Sequence, residues 1–439
     1  MTHPLDVSYP LDISYPLDAS YPLDILRKTL RAENLDGCIV TRNSDLRWLT
    51  GWEYVFDSGR PHTALITSDA ALIHTDTRYS AAMRLCNAES LWQVDDERIT
   101  QSAFIAQAIS APRLSAPQPS APHLSSQTVS APQPSALRLS AQTVSAPHSP
   151  AFQPSAPHVS ASQPEEPAQS LRIAIEDDLP LNCYRALEKA LVEAPLAVKL
   201  IEASNLILNL RAIKRPAEIE ILRQAQRIGD AAFVKLLEWM RPGLTEAEIA
   251  CELEYLMRKN GADGVAFASI IASGPNSANP HAVPTSRALE RGDFVVVDFG
   301  ARYRDYCADV TRTLVVGQAS DEQRAVYKAV LAAHEAAKAL IRPGLRGDEV
   351  HECARAVLAE HGYAEYFAHS LGHGIGVSVH ELPHLAPRAD TILALGNVVT
   401  VEPGAYILGF GGVRIEDSGI VTESGFDPLT TLPHDLIII

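Results

Sequence analysis

The stretch from Phe294 to Thr313, FVVVDFGARYRDYCADVTRT, constrains the fold more than any other part of the chain. It reads as two apolar strands, each carrying one aspartate, Asp298 and Asp309. A reversal at Tyr303-Arg304 would set residue 302 against 305 and Asp298 against Asp309. Like charges facing each other across a strand pair are destabilising unless something lies between them. The flanking Val295, Val296, Val297, Phe299, Val310 and Leu314 imply burial, where an unpaired carboxylate is very costly. A shared cation resolves the conflict most simply. The alternative is two aspartates satisfied within a tight turn. Neither Tyr303 nor Arg304 is Gly or Asn, so this register is an inference from the pattern.

A second acidic hairpin follows near the C-terminus. Glu402, in VTVEPG, leads into a glycine-rich turn at Gly409 to Gly412, and VRIEDSG returns the chain through Glu416. Folding about Gly409 places Glu402 opposite Glu416, although Pro403 implies a bulge or an edge. Between the hairpins lie His369, His373, His380 and His384, in HSLGHGIG and VHELPH. Glycines on both sides of His373 let a ligand approach the backbone closely, though a surface loop would read the same way. Four carboxylates and one imidazole form a hard-leaning donor set. It suits two divalent ions of the Mn, Co, Fe or Zn kind, about 3.5–4 Å apart, better than a structural zinc, which favours thiolates.

At 439 residues the chain is long enough for two domains and some non-globular sequence. Residues 1–23 repeat a hexad (HPLDVS, YPLDIS, YPLDAS) whose regular prolines predict an extended or disordered tail. From Asp24 the pattern becomes globular. Asp24 is positioned to cap a helix with the apolar face Ile25, Leu26, Leu30 and Leu35, ended by Gly37. Strand-like runs at Cys38 to Thr41, Thr63 to Thr67 and Ala71 to Thr75 alternate with helical ones, which predicts an α/β domain over 24–199. Recurring Ser-Ala-Pro units at 110–168 cannot bury enough apolar surface to offset chain entropy, so a disordered insertion within that domain is expected. The alternative is a linker between two domains. Residues 200–439 form the second domain. There Pro216 starts a helix, and Thr245 with Glu248 has capping-box spacing. An Arg-Pro-Gly-Leu turn recurs at Arg241 and Arg342, each between two helices, and hints at internal duplication.

The net charge of -16 argues against nucleic acid or an anionic membrane surface as partner. No apolar run reaches the ~18 residues of a spanning helix, and no secretory signal pattern opens the chain. Six cysteines without C-x-x-C spacing fit free thiols in a reducing cytoplasm. A cytoplasmic location is therefore expected.

The series Asp298 in VDFG, Asp309 in ADVTRT, His373 in GHGIG, Glu402 in VEPG and Glu416 in RIED resembles the metal-ligand set of the pita-bread metallopeptidases (M24). These include methionine aminopeptidase, prolidase and aminopeptidase P. LRAIKRPAEIEILRQA resembles the opening of the catalytic domain in the Xaa-Pro branch, and WLTGWEY and ALITSDAALIHTDTRY resemble its creatinase-type N-terminal domain. Residues 24–109 and 171–439 are covered.

The resemblance implies an α/β creatinase-like N-terminal domain and an α+β pita-bread catalytic domain with a pseudo-twofold duplication. It implies that Asp298 chelates one metal, His373 and Glu402 the other, and that Asp309 and Glu416 bridge them. A water between the ions would lose a proton near neutral pH and attack the scissile carbonyl, with Glu402 passing the proton on. His281, in NPHAVP, and His380 match the family's substrate-side histidines, and His369 and Arg414 its outer support. For His384 and Cys307 an ordinary structural role is expected. The implied protein is a homodimeric Xaa-Pro aminopeptidase with two divalent ions per chain, Mn foremost and Co, Fe or Zn as alternatives. The alternative activity is an Xaa-Pro dipeptidase (prolidase). A creatine-type amidinohydrolase or a metal-free peptide-binding relative is disfavoured by the retention of all five ligands.

Overall fold

A computed structural model describes residues 20–56, 62–87, 90–111 and 170–439. The hexad tail up to residue 19 and residues 112–169 of the Ser-Ala-Pro segment lie outside the described residues. The first part runs α1 (Ser20–Ala32), β1 (Gly37–Val40), α2 (Asn43–Thr50), β2 (Thr63–Thr67), β3 (Ala71–His74), α3 (Thr77–Cys86), β4 (Gln93–Asp95) and α4 (Gln101–Ser110). It continues with β5 (Leu171–Ile175), α5 (Leu181–Val192), β6 (Val198–Glu202) and α6 (Leu206–Ala212). The strands form one mixed sheet in the order β4-β3-β2-β1-β5-β6. Strand β5 pairs in parallel with β1, so chain from both sides of residues 112–169 builds this sheet.

The two-residue strand period divides the core cleanly. Cys38, Val40, Ala64 and Ile66 pack with Leu26, Leu46 and Leu49 on one face, whereas Ile39, Leu65 and Ile173 pack with Phe104, Ile105 and Leu187 on the other. Helix α1 starts at Ser20, four residues before the Asp24 expected to cap it. Pro22 falls in the first turn, where its missing N–H costs nothing, and Leu23 is buried beside Leu26. Asp24 itself is exposed.

The second part is two copies of one plan. The first copy comprises α7 (Pro216–Trp239), α8 (Glu246–Lys259), β7 (Gly264–Val265), β8 (Ile270–Ser273), β9 (Phe294–Phe299), β10 (Ala301–Tyr303), β11 (Tyr306–Cys307) and β12 (Val310–Val315). The second comprises α9 (Asp321–Leu340), α10 (Gly347–Glu360), β13 (Gly372–Gly374), β14 (Glu381–Leu385), β15 (Val398–Val401), β16 (Gly404–Ile407), β17 (Gly411–Arg414), β18 (Asp417–Thr422) and β19 (Gly425–Pro428). Strand β20 (Ile437–Ile438) returns to pair with β12. Both Arg-Pro-Gly-Leu turns place their glycine in the left-handed region, Gly243 at φ 91° and Gly344 at φ 90°. Both are tied down alike: Leu289 N–H donates to the Leu244 carbonyl and Leu393 N–H to the Leu345 carbonyl, each at 2.8 Å. Each helix pair covers its own sheet, α7 and α8 over β9 and β12, α9 and α10 over β15.

The first hairpin departs from its expected register. The reversal falls at Arg304-Asp305, Tyr303 pairs with Tyr306, and Asp298 lies opposite Thr311 instead of Asp309. Both turn residues take positive φ, 48° and 63°, the geometry of a tight hairpin turn ordinarily given to Asn-Gly. Their side chains are held from the first part of the chain: Arg304 Nε donates to Glu53 (2.7 Å) and Asp305 accepts from Arg47 Nε (2.7 Å). The slip covers two residues, so Asp298 and Asp309 keep the same face and meet diagonally. In the second hairpin the pairs Val401 with Asp417 and Gly404 with Arg414 bracket Glu402 and Glu416 in the expected register, with Pro403 at the break between two sheet segments.

Candidate active site

The two hairpins meet edge to edge and exchange side chains. Thr311 Oγ1 donates to Glu416 Oε2 (2.7 Å) and accepts from Arg414 Nε (3.1 Å). In the other direction Arg414 Nη2 donates to Asp298 Oδ2 (2.5 Å). Strand β13 brings His373 to the same place, its Nε2 3.3 Å from Glu402 Oε1 and 3.7 Å from Asp309 Oδ2. Its Nδ1 bonds the Gly374 carbonyl (3.0 Å), which fixes the ring. Ligand atoms of Asp309, His373 and Glu416 all lie within 4.8 Å of one another.

Asp298, Asp309, His373, Glu402 and Glu416 line one cleft of about 500 Å³, and so do His281, His369, His380 and Arg414. The structure therefore brings all nine site candidates together. His384, read as structural in the sequence, also lines this cleft from β14, directly across from His373. Cys307 is buried outside it, and burial pushes its thiol up to about 12.

Four carboxylates this close cannot all ionise by themselves. Burial, then the charges of Glu416 and Asp298, push the Asp309 carboxyl well above the usual range. Burial, then Glu402 and Asp298, do the same to Glu416. Asp298 is raised by burial against the opposing pull of Arg414. Burial also works to raise Glu402, but its hydrogen bond and ion pair with His373 hold it at about 2. His369 and His380 are both lowered by burial. Asp298 Oδ1 and Glu416 Oε1 are buried without a hydrogen-bond partner among the described residues. Orphaned carboxyl oxygens, clustered acids and an oriented imidazole together fit divalent cations, which would restore the ionised state of every carboxylate.

Tyr406 was not foreseen. Its hydroxyl accepts from Arg414 Nη1 (2.7 Å) and bonds His369 Nε2 (2.9 Å), joining two outer residues behind Asp298. No local signal in GAYILG marks it. Thr311, by contrast, was findable: it sits two residues beyond Asp309, and so on its face of the strand.

A second cluster, His334, Asp417 and His434, also has ligand spacing. Asp417, however, already accepts from Arg312 Nη2 (3.0 Å), Lys338 Nζ (2.7 Å) and His434 Nε2 (2.8 Å). Two fixed cations on one carboxylate disfavour a third, and the cluster ties β18 to α9. No helix among the described residues is long and apolar enough to cross a membrane.

Paired-acid hairpins related by a pseudo-twofold, with a histidine between them, define a metal-dependent hydrolase. The model of metallopeptidase family M24 matches residues 220–423, and that of the creatinase/prolidase N-terminal domain matches 22–114. An Xaa-Pro dipeptidase of Pyrococcus furiosus is 45% identical over 233 residues, 53% of this chain and 67% of that one. The solved Xaa-Pro dipeptidase from Bacillus anthracis superposes with a TM-score of 0.77 at 34% identity, over 96% of this chain and 100% of that one. The X-Pro aminopeptidase of Thermotoga maritima gives 0.72 at 30% identity, over 94% and 100%. The chain belongs to metallopeptidase family M24. It is a hydrolase of the Xaa-Pro peptidase branch, with a creatinase-like N-terminal domain and a pita-bread catalytic domain.

Proposed function

We propose that the chain is an Xaa-Pro dipeptidase, cleaving the bond between a first residue and proline. The observation that carries this reading is the convergence of nine candidate residues on one cleft in which two buried carboxylate oxygens lack partners among the described residues. Relatives that carry the name Xaa-Pro dipeptidase support the dipeptidase alternative over the aminopeptidase expected first. Asp298, Asp309, His373, Glu402 and Glu416 would hold two divalent ions, Mn foremost. When bound, these supply Lewis-acid polarisation of the scissile carbonyl and acidify water.

The protein's own groups do the rest. Glu402, on the cleft wall with Oε1 3.3 Å from His373 Nε2, accepts a proton and returns it to the departing proline nitrogen. His281 and His380, on the cleft wall, hold the substrate carbonyl, and both can donate once it becomes an oxyanion. Arg414, braced by Tyr406, keeps Asp298 in place. Phe267 and Ile270 offer an apolar wall that a pyrrolidine ring can cover. The reading also carries domain limits of 24–199 and 200–439, a division that strand β6 (Val198–Glu202) straddles; a homodimer, supported by the family resemblance; and a cytoplasmic location, supported by the free cysteines.

The test is a panel of Xaa-Pro dipeptides and Xaa-Pro-Yaa tripeptides, with Asp309→Asn as control. Dipeptides should be preferred in kcat/KM, and the variant should lose at least about 100-fold, beyond the effect of an outer-shell change. A preference for tripeptides would return the reading to an aminopeptidase. Equal turnover by wild type and variant would remove Asp309 from the mechanism.

A further inference from the structure

Residues 375–380 connect β13 to β14 and bring Val379 and His380 into the cleft wall. The base of this loop is not held by its own sheet alone. Glu381, directly after His380, is 4% exposed and accepts from Arg211 Nη2, from Lys214 Nζ (3.1 Å) and from the backbone N–H of Ser378 (2.8 Å). The same Arg211 Nη2 donates to Ser378 Oγ (3.1 Å). One guanidinium nitrogen thus clasps both ends of the turn that contains the substrate-side histidine. At Gly376 an added Cβ would lie 2.6 Å from Glu381 Oε2, so the loop is packed onto this carboxylate.

The other end of the guanidinium faces the N-terminal domain. Arg211 Nη1 donates to Asp45 Oδ1 (2.5 Å) and to Ser44 Oγ (2.9 Å), both on α2. Asp45 is itself gripped from behind by Arg42 Nη1 (2.8 Å). All the charges at the centre are buried: Asp45 is 0% exposed, Arg211 1% and Lys214 5%. Buried ion pairs of this kind seldom stabilise more than apolar replacements of equal volume would, and geometric specification is their better-attested use. The forked guanidinium is suited to that use, because it fixes direction as well as distance.

We propose that Arg211 is a positioning residue for the reaction: by bridging Asp45 of the N-terminal domain to Glu381 and Ser378, it sets the placement of His380 in the cleft. The proposal rests on the hydrolytic role assigned to His380 above. It makes the N-terminal domain part of the catalytic geometry although α2 contributes nothing to the cleft lining.

The test combines kinetics with hydrogen exchange on the full chain. Arg211→Lys keeps the charge and loses the fork. It should lower kcat on an Xaa-Pro dipeptide roughly tenfold, as expected of a displaced catalytic group, with KM and metal content within about twofold of wild type. In a His380→Ala background the same change should cost nothing further, because its effect passes through His380. In the metal-free chain the amides of 376–381 should exchange several-fold faster in Arg211→Lys than in wild type. If Arg211→Lys does not fold, Asp45→Asn is measured in its place with the same expectations. Equal losses with and without His380, an unchanged kcat, or unchanged exchange would overturn the proposal. Should wild type cleave no Xaa-Pro peptide, the functional reading fails by itself, and the exchange of 376–381 still decides whether Arg211 places the loop.

Discussion

Tyr406 spends its hydroxyl on two residues that do not touch in sequence, Arg414 and His369. Removing it should loosen the guanidinium that holds Asp298, so Tyr406→Phe is expected to weaken metal affinity and turnover about tenfold or somewhat more, checked by metal titration and kcat/KM. Glu381 gives a pH prediction. Burial works to raise its carboxyl, but Arg211 and Lys214 hold it at about 2, below its ordinary 4.5. A depressed carboxylate contributes stability above its unfolded value and loses it as pH falls through the folded one. The stability advantage of wild type over Glu381→Gln should therefore be greatest above pH 4.5, on the order of 3 kcal/mol at most, and shrink toward pH 2. Melting curves of both proteins across that window would show a constant gap if Glu381 were not paired. At this scale the acids were legible, because a carboxylate inside an apolar strand is too costly to leave unexplained. Tyr406 was not, since a lone tyrosine in a strand is ordinary until its partners from other elements are known.

The two hairpins show what turn chemistry can and cannot predict. The second was legible because Gly409 (φ 81°) and Gly411 (φ 135°) announce where the chain reverses. The first was misplaced because Arg304 and Asp305 hold an uncommon backbone geometry through bonds to Glu53 and Arg47, some 250 residues away in sequence. A similar distinction separates two glycines. A Cβ at Gly409 meets none of the described residues within 4 Å, so Gly409→Ala should cost only the left-handed penalty of roughly 1–2 kcal/mol and leave metal content intact. A Cβ at Gly372 would lie 2.0 Å from the Thr400 carbonyl oxygen, between β13 and the adjacent strand. Gly372→Ala should push His373 out of line and reduce metal per chain, which elemental analysis beside a melting curve would detect.

Across the whole molecule the repeated Arg-Pro-Gly-Leu turn proved to be the trace of a duplication, although four residues in a sequence of 439 said little about how the halves face each other. Facing each other, they contribute Asp298 and Asp309 from one side and His373, Glu402 and Glu416 from the other. Bound metal would act on both halves at once, and only in the folded state. Chelation is therefore expected to lower the melting temperature by several degrees, since free metal at a hundredfold its Kd adds about 2.7 kcal/mol. A melting temperature unmoved by chelator and by added Mn would show that the halves close without it.

The crossing of Arg414 onto Asp298 and of Thr311 onto Glu416 has a genetic consequence. Neither half can drift alone. A selection for revertants of Thr311→Ala should yield suppressors near positions 414–416, about a hundred residues downstream, before any among its own sequence neighbours.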